Sequence, residues 1–252
     1  MFGTDRDSEL MDILLDFGEA MMESGAEIAR IEDSLARMGF SYGAEQTNVF
    51  VITSSIELTV RFGDGETLTR TRRIRSGGID FERLRLLNAL SRQCAAQQLE
   101  ISQLRQEVNR IRTRKFSKIK LFLGSALAAG GFAVFFGGTL LDAAVAALVG
   151  LAVCVLQQFA YLSPNKVFFY FISALLSGAA ICLISLAIPW LHIDKVIIGD
   201  IMLLIPGIAI TMAVKDVLIG DTISGLTKLA DCLVWAGALA AGFMIVIGLF
   251  AR

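Results

Sequence analysis

Long stretches without a charged residue constrain this chain more than any other feature. Residues 121–141, 143–165 and 167–193 contain no Asp, Glu, Lys or Arg and run for 21, 23 and 27 positions. A helix needs roughly 20 apolar residues to cross the hydrocarbon of a bilayer, which is about 30 Å thick. Each of these runs therefore predicts one membrane span.

Two later apolar stretches raise the number of predicted spans to five. One starts at Lys195 and contains Asp200 and Pro206-Gly207, and the other ends near Phe250. The five spans are predicted at about 119–138, 141–161, 167–188, 195–214 and 229–250.

The charged residues are concentrated before the first span. Residues 1–119 hold 17 basic and 18 acidic residues, whereas residues 120–252 hold 6 of each. Together with 55% hydrophobic residues, this division excludes a single soluble domain. The sequence predicts an α-helical polytopic membrane protein with five transmembrane helices and an N-terminal cytoplasmic α+β domain, divided into residues 1–115 and 116–252.

A basic cluster immediately before the first span sets the predicted orientation. Its members are Arg110, Arg112, Arg114, Lys115, Lys118 and Lys120. The positive-inside rule places this cluster and the N-terminus in the cytoplasm, and five spans then leave the C-terminus outside. The residues from Met1 to Asp16 are acidic and amphipathic, so no signal peptide is expected.

Helical and strand patterns alternate in the N-terminal part. Apolar residues recur at helical spacing over residues 8–38, with an interruption at residues 23–27. Alternation over residues 56–62 indicates a half-buried strand, and Gly63-Asp64-Gly65 favours a hairpin turn. The next strand ends in Arg70, Arg72, Arg73 and Arg75. Because no aromatic residues are interleaved, these arginines indicate a solvated strand face or a membrane-surface contact rather than nucleic-acid binding.

A helix predicted to begin after the cap residue Asp80 carries a heptad pattern toward the first span. Its two repeating positions hold Leu87, Cys94, Ile101 and Val108, and Leu90, Gln97, Leu104 and Ile111. This stripe either pairs two subunits or packs on its own domain, and the pattern does not decide between them. In both cases it predicts a long, stiff connector into the first span.

Residues that commonly carry catalysis or bind metals are scarce. The single histidine, His192, follows Trp190 in a short loop and is interpreted as an interfacial loop residue. The four cysteines have no metal or redox spacing and are interpreted as small buried hydrophobes. No Gly-Lys-Ser/Thr phosphate loop is present. We therefore expect no enzymatic activity, no metal site and no cofactor.

Asp200 and Pro206-Gly207 form the candidate site of the membrane domain. An ionisable residue within a span costs about 3 kcal/mol and usually faces a cavity or a partner. Proline removes a backbone donor, and broken spans near the bilayer midplane recur in transporter binding sites. The alternative is a structural kink in which a neighbouring Ser or Thr bonds Asp200. Asp231, one turn after Lys228, is either a pathway residue or half of a surface pair.

Two motifs resemble the signatures of the threonine/serine exporter family. Its N-terminal signature resembles residues 15–19, Leu-Asp-Phe-Gly-Glu, and residues 23–32, Glu-Ser-Gly-Ala-Glu-Ile-Ala-Arg-Ile-Glu. Its membrane signature resembles Leu204-Ile205-Pro206-Gly207, Asp216, Gly220-Asp221 and Ser224-Gly225-Leu226. The length and the five predicted spans are similar to the YjjP-like half of the family. The resemblance implies a smaller, separate YjjB-like membrane subunit and export of threonine, serine or succinate.

The resemblance carries the family's recurring positions onto this sequence. They are Gly25, Glu27, Arg30 and Glu32 in the cytoplasmic domain, and Pro206, Gly207, Asp216 and Asp221 in the membrane domain. Glu27 and Arg30 lie one turn apart, so a contact within the domain is an alternative to a substrate or gating role. Asp216 and Asp221 flank a glycine-containing turn and either gather substrate or fix the loop.

The predicted function is that of one subunit in a two-component exporter of small polar metabolites, with proton coupling through Asp200 as a further hypothesis. Small residues in the first three spans suit close packing in an oligomer. The absence of Lys and Arg deep in the spans favours either a zwitterion over a dicarboxylate or a site that the partner subunit completes. The alternative is a non-transporting scaffold or signal-relay subunit, which would not need a broken, acidic fourth span.

Overall fold

The computed structural model describes residues 2–63, 65–75, 77–114, 117–160 and 165–250. Within these ranges the elements in chain order are α1 (Phe2–Glu23), α2 (Ile28–Ser41), β1 (Ala44–Ile52), β2 (Ser55–Phe62), β3 (Thr67–Arg73), α3 (Phe81–Ala96), α4 (Ile101–Arg112), α5 (Lys118–Phe135), α6 (Leu140–Ala160), α7 (Lys166–Ala187), α8 (Ile193–Leu204), α9 (Gly207–Leu218) and α10 (Thr222–Phe250). Asp64 and Lys115 lie outside the described residues, and so do the predicted boundary at 115/116 and the predicted end of the second span at 161.

Internal contacts divide the chain into two compact units. The N-terminal unit consists of Met1–Lys115 and Thr211–Leu229, and the helical unit consists of Phe116–Ile210 and Ala230–Arg252. The second half of α9 and the first residues of α10 therefore belong to the same unit as the N-terminal helices and strands.

The N-terminal unit is built on an antiparallel sheet whose described strands pair in the order β1-β2-β3. Alternate residues of β2 are buried, and these are Ile56, Leu58, Val60 and Phe62. They share one core with apolar residues of α1 and α2, including Phe17 and Ile31. The half-buried strand predicted from the alternation is confirmed.

Two arginines of β3 lie on the face of the sheet that packs against α1. Cross-strand pairing sets Arg72 beside Ile56 and Arg70 beside Leu58, so both arginines share the face of the core residues. Arg70 bonds Asp12, and Arg72 Nη1 donates to Asp16 at 2.7 Å. The interpretation as a solvated or membrane-contacting face is wrong for this pair, because carboxylates of α1 neutralise both guanidinium groups.

The predicted continuous heptad helix is wrong, because the chain forms α3 and α4 with a break between them. Gln97, the polar member of the stripe, has extended backbone angles (φ −143°, ψ 113°). The buried stripe residues all lie in the core of the N-terminal unit, and they are Leu87, Leu90, Cys94, Leu104, Val108 and Ile111. Of the two alternatives the pattern left open, the stripe packs on its own domain, since the break lets both helices bury their apolar faces there.

The turn between α1 and α2 requires glycine at position 25. Gly25 has φ +83°, and the Ala26 N–H donates to the Met21 carbonyl at 3.0 Å, as in a Schellman motif. The Gly78 N–H also donates to the Glu23 carbonyl at 3.0 Å, which fixes this turn to the loop before α3. A Cβ atom at position 25 would lie 2.9 Å from the Gly78 carbonyl oxygen.

We therefore expect Gly25→Ala to destabilise the N-terminal unit by about 2–3 kcal/mol, from the positive φ and from the clash with Gly78. Hydrogen exchange of the α1–α2 segment in the purified chain measures the effect. Gly77→Ala is the matched control, because a Cβ atom at Gly77 meets nothing within 4 Å. Equal exchange rates in the two variants would contradict the assignment of Gly25 to a strained, crowded turn.

Small residues bring the helices of the helical unit close together. A Cβ atom added to Gly130 of α5 would lie 2.9 Å from the Ala143 carbonyl oxygen of α6. One added to Gly199 of α8 would lie 2.5 Å from the Ala129 carbonyl oxygen of α5. These approaches are the close helix packing that small residues permit in membranes.

Among the described residues, four helices are long and apolar enough to cross a membrane: Lys118–Phe135, Leu140–Gln158, Lys166–Ala187 and Thr222–Phe250. The pair α8 and α9 passes the same test as one broken element bent by 49°. The chain is thus a mostly helical membrane protein with four candidate spans, or five if the bent pair is one span. α10 begins at Thr222, two turns before the predicted start at 229.

Candidate functional site

Asp200 is buried in the helical unit, and none of the described residues pairs with its charge. It lies on α8 between Val196 and Leu204, one turn away on either side, and its exposure is 0%. Neither carboxylate oxygen has a hydrogen-bond partner among the described residues, so no described Ser or Thr satisfies it. An isolated buried carboxylate is costly unless it is neutral or a ligand supplies a donor.

The break between α8 and α9 begins at Ile205, five residues after Asp200. Ile205 is extended (φ −60°, ψ 127°), and its N–H makes the last helical bond of α8, to the Ile201 carbonyl at 2.9 Å. The Pro206 carbonyl accepts from the Ile210 N–H at 2.9 Å, which begins α9. Proline at the break has no N–H to leave unsatisfied. The predicted break at Pro206-Gly207 is confirmed.

The turn between α9 and α10 belongs to the N-terminal unit and places Asp216 and Asp221 on either side of Gly220. Gly220 has φ +105°, and the Asp221 N–H donates to the Asp216 carbonyl at 2.9 Å. A Cβ atom at Gly225 would lie 2.7 Å from the Ala213 carbonyl oxygen, so α9 and α10 pack closely here. The turn is a second Schellman motif, with glycine at the left-handed position.

Two lysines make ion pairs that helical spacing did not predict. Lys228 Nζ donates to Asp216 Oδ2 at 2.6 Å, and Asp216 is fully buried with its other oxygen unpaired among the described residues. Lys215 Nζ donates to Glu27 Oε1 at 2.8 Å. The alternatives of a one-turn pair Lys228–Asp231 and a one-turn pair Glu27–Arg30 are therefore wrong, because Lys228 pairs with Asp216 and Glu27 pairs with Lys215.

The remaining predicted site residues fall into different settings. Glu32 Oε1 accepts the Val51 N–H of β1 at 3.0 Å. Arg30 is exposed in the first turn of α2 and lines a cavity against α3. Asp231 is exposed at the start of the part of α10 in the helical unit.

Burial raises the pKa of Glu32 above 4.5, the Val51 N–H opposes this shift, and the nearby charge of Asp221 adds to it. Folding therefore favours the protonated form, and this stabilisation is lost as the pH rises through the raised folded-state pKa. We expect Glu32→Gln, whose amide oxygen can still accept from Val51, to gain thermal stability relative to the wild type as the pH rises above the ordinary glutamate pKa of about 4.5.

Thermal unfolding midpoints of the purified chain at several pH values test this expectation. Asp33→Asn is the control on the same helix, since Asp33 is exposed and pairs with Arg37 at 3.1 Å. A difference between Glu32→Gln and wild type that stays constant or shrinks with rising pH would contradict the assignment.

A further polar group in the helical unit was missed by the sequence interpretation. Asp142 is fully buried, accepts the Thr139 N–H at 2.7 Å and accepts the His192 N–H at 3.0 Å. His192 Nδ1 lies 2.9 Å from Oδ2 of Asp142, the same oxygen that accepts the Thr139 N–H. The Thr139-x-x-Asp142 spacing is a capping-box signal that marks the start of α6. His192 therefore ties the loop before α8 to the start of α6, rather than being only an interfacial loop residue.

The long apolar helices, the closely packed small residues and the broken pair α8–α9 define a polytopic helical membrane protein. The chain belongs to the threonine/serine exporter family, whose model, ThrE, matches residues 12–250. This is a family of transporters, which agrees with the expectation that the chain is not an enzyme. A comparison with curated proteins and one with solved structures each found no match.

Proposed function

We propose that this chain is one subunit of a two-component exporter that moves small polar metabolites out of a bacterial cell. The observation that carries the proposal is the buried carboxylate of Asp200, which no described residue pairs, beside the break at Pro206 in a member of a transporter family. The second component is a smaller YjjB-like membrane subunit, and the two form a hetero-oligomer. Large exposed apolar residues on α5, including Leu127 and Phe135, suit contact with lipid or with this subunit.

A zwitterionic amino acid such as threonine or serine fits the chemistry of the broken pair. The last turn of α8 offers carbonyl oxygens, and the first turn of α9 offers N–H groups. An ammonium group would bind Asp200 and the carbonyls, and a carboxylate would bind at the N-terminal end of α9. A dicarboxylate such as succinate would require cations from the partner subunit, because Lys195 of α8 lies at the end away from the break.

Proton coupling through Asp200 extends the proposal. In apolar surroundings the neutral carboxylic acid has a lower free energy than the carboxylate unless a cation binds. An ammonium group and a proton would therefore occupy the site in turn. The basic residues around the start of α5, such as Arg112 and Lys118, support a cytoplasmic N-terminus, an external C-terminus and a location in the inner membrane. In that orientation, protons would enter as the solute leaves.

The signal-relay alternative has little support. A relay through the predicted connector would need one continuous helix into the first span, and the break at Gln97 divides that helix into α3 and α4. Its apolar stripe is already buried in the N-terminal unit.

Export from living cells tests the proposed function. Cells without their own threonine exporters are loaded with labelled threonine, serine or succinate and express this chain, the YjjB-like subunit, or both. We expect efflux of at least one amino acid only when both subunits are present. Efflux at background level in all combinations would overturn the proposal, and efflux with this chain alone would overturn its two-component form.

A further inference from the structure

An arginine-lined cavity lies between α2 and α3 in the N-terminal unit. Its volume is about 310 Å³, within the range of small-molecule sites. The residues that line it are Arg30, Phe81, Leu84, Arg85, Asn88 and Arg92. It contains three guanidinium groups and no carboxylate, so its lining is strongly positive.

The charges of this cavity are largely uncompensated. Among the described residues, no carboxylate oxygen lies within 4.0 Å of a charged nitrogen of Arg30 or Arg92. Arg85 pairs with Glu82 through Nε at 2.8 Å and Nη2 at 2.9 Å, which leaves its Nη1 hydrogens for another acceptor. Elsewhere in the same unit, Arg70, Arg72, Arg105 and Arg112 each pair with a carboxylate of α1.

The spacing of the polar groups suits a ligand with separated negative charges. Arg85, Asn88 and Arg92 occupy positions i, i+3 and i+7 of α3 and so share one face of that helix. The two arginines are about 10 Å apart along the helix axis. Arg30 adds a third cation from α2, while Phe81, which is 54% exposed, and Leu84 provide apolar surface.

We propose that this cavity binds a small oxyanion that carries two or more negative charges. Guanidinium groups match the oxygen pairs of carboxylates and phosphates, and Asn88 adds an amide donor. The ligand is a dicarboxylate, a phosphate compound or an anionic lipid headgroup, since these share the required chemistry. The proposal goes beyond transport, because it concerns the N-terminal unit and does not involve Asp200 or the broken pair α8–α9.

Equilibrium binding to the purified full chain tests the proposal. The probes are succinate, inorganic pyrophosphate and vesicles that contain an anionic phospholipid, each titrated at low and at high salt. We expect at least one probe to bind with a Kd below about 1 mM and to weaken as salt rises. The probe that binds identifies the source of the oxyanion.

The variants Arg30→Gln and Arg92→Gln locate the binding. Loss of one charged hydrogen-bonding group is expected to weaken the bound probe roughly tenfold or more. Arg37→Gln is the matched control on α2, because Arg37 is exposed but pairs with Asp33. The proposal is overturned if no probe binds, if neither variant weakens binding, or if Arg37→Gln weakens it to the same extent.

Discussion

Asp200→Asn is expected to lower solute efflux by roughly 100-fold. Removal of a charged hydrogen-bonding group costs about 3 kcal/mol, and a barrier raised by this amount slows transport by about that factor. Asparagine has nearly the same size and leaves the packing around Gly199 and Leu204 unchanged. It cannot take up a proton or attract an ammonium group, so both proposed roles of the carboxylate are lost together. Efflux of labelled threonine from proteoliposomes with both subunits, at several external pH values, measures the effect.

The control for this experiment lies on the same helix. Asp194 of α8 pairs with Lys195 at 3.0 Å, and its side chain is 65% exposed. Asp194→Asn makes the same chemical change at a solvated position, so efflux should stay within about twofold of wild type. If Asp200→Asn keeps wild-type efflux and wild-type pH dependence, Asp200 has no part in the mechanism.

Lys228→Met is expected to destabilise the chain by about 2–4 kcal/mol, because it leaves the fully buried Asp216 without its cation. The double variant Asp216→Asn/Lys228→Met removes both charges and should recover most of this loss. Hydrogen exchange across residues 211–229 in the purified chain measures both effects.

A second lysine–aspartate pair provides the comparison. Lys195→Met removes the partner of Asp194, whose side chain is largely solvated, so its cost should stay below about 1 kcal/mol. Two results would show that Lys228 does not neutralise Asp216. One is an equal cost for the two lysine variants, and the other is no recovery in the double variant.

The N-terminal sheet was predictable because its signal is local. Residues 56–62 alternate between apolar and polar, and this pattern predicts a strand with one buried face. The break at Gln97 was not predictable in the same way. The apolar residues of a heptad stripe become buried in either of two arrangements. One is a continuous helix that packs on a partner, and the other is two shorter helices that bury Leu87 and Leu104 in one core.

The candidate site was predictable where one residue carried the signal. Asp200 is a charged residue within an apolar run, five residues before Ile205-Pro206, and this pattern predicts both the buried position and the break. The ion pairs were not predictable, because helical spacing favours neighbours one turn apart. Lys215 instead bonds Glu27, 188 positions away, and His192 bonds Asp142, 50 positions away. Only the packing of the chain brings such residues together.

The reconstituted transport cycle tests the central claim most directly. Proteoliposomes that hold this chain and its YjjB-like partner are loaded with labelled threonine, and an inward proton gradient is imposed. The account predicts efflux that the gradient accelerates and that Asp200→Asn lowers roughly 100-fold, with empty liposomes at background. Efflux no faster than from empty liposomes, with both subunits folded and inserted, would contradict it.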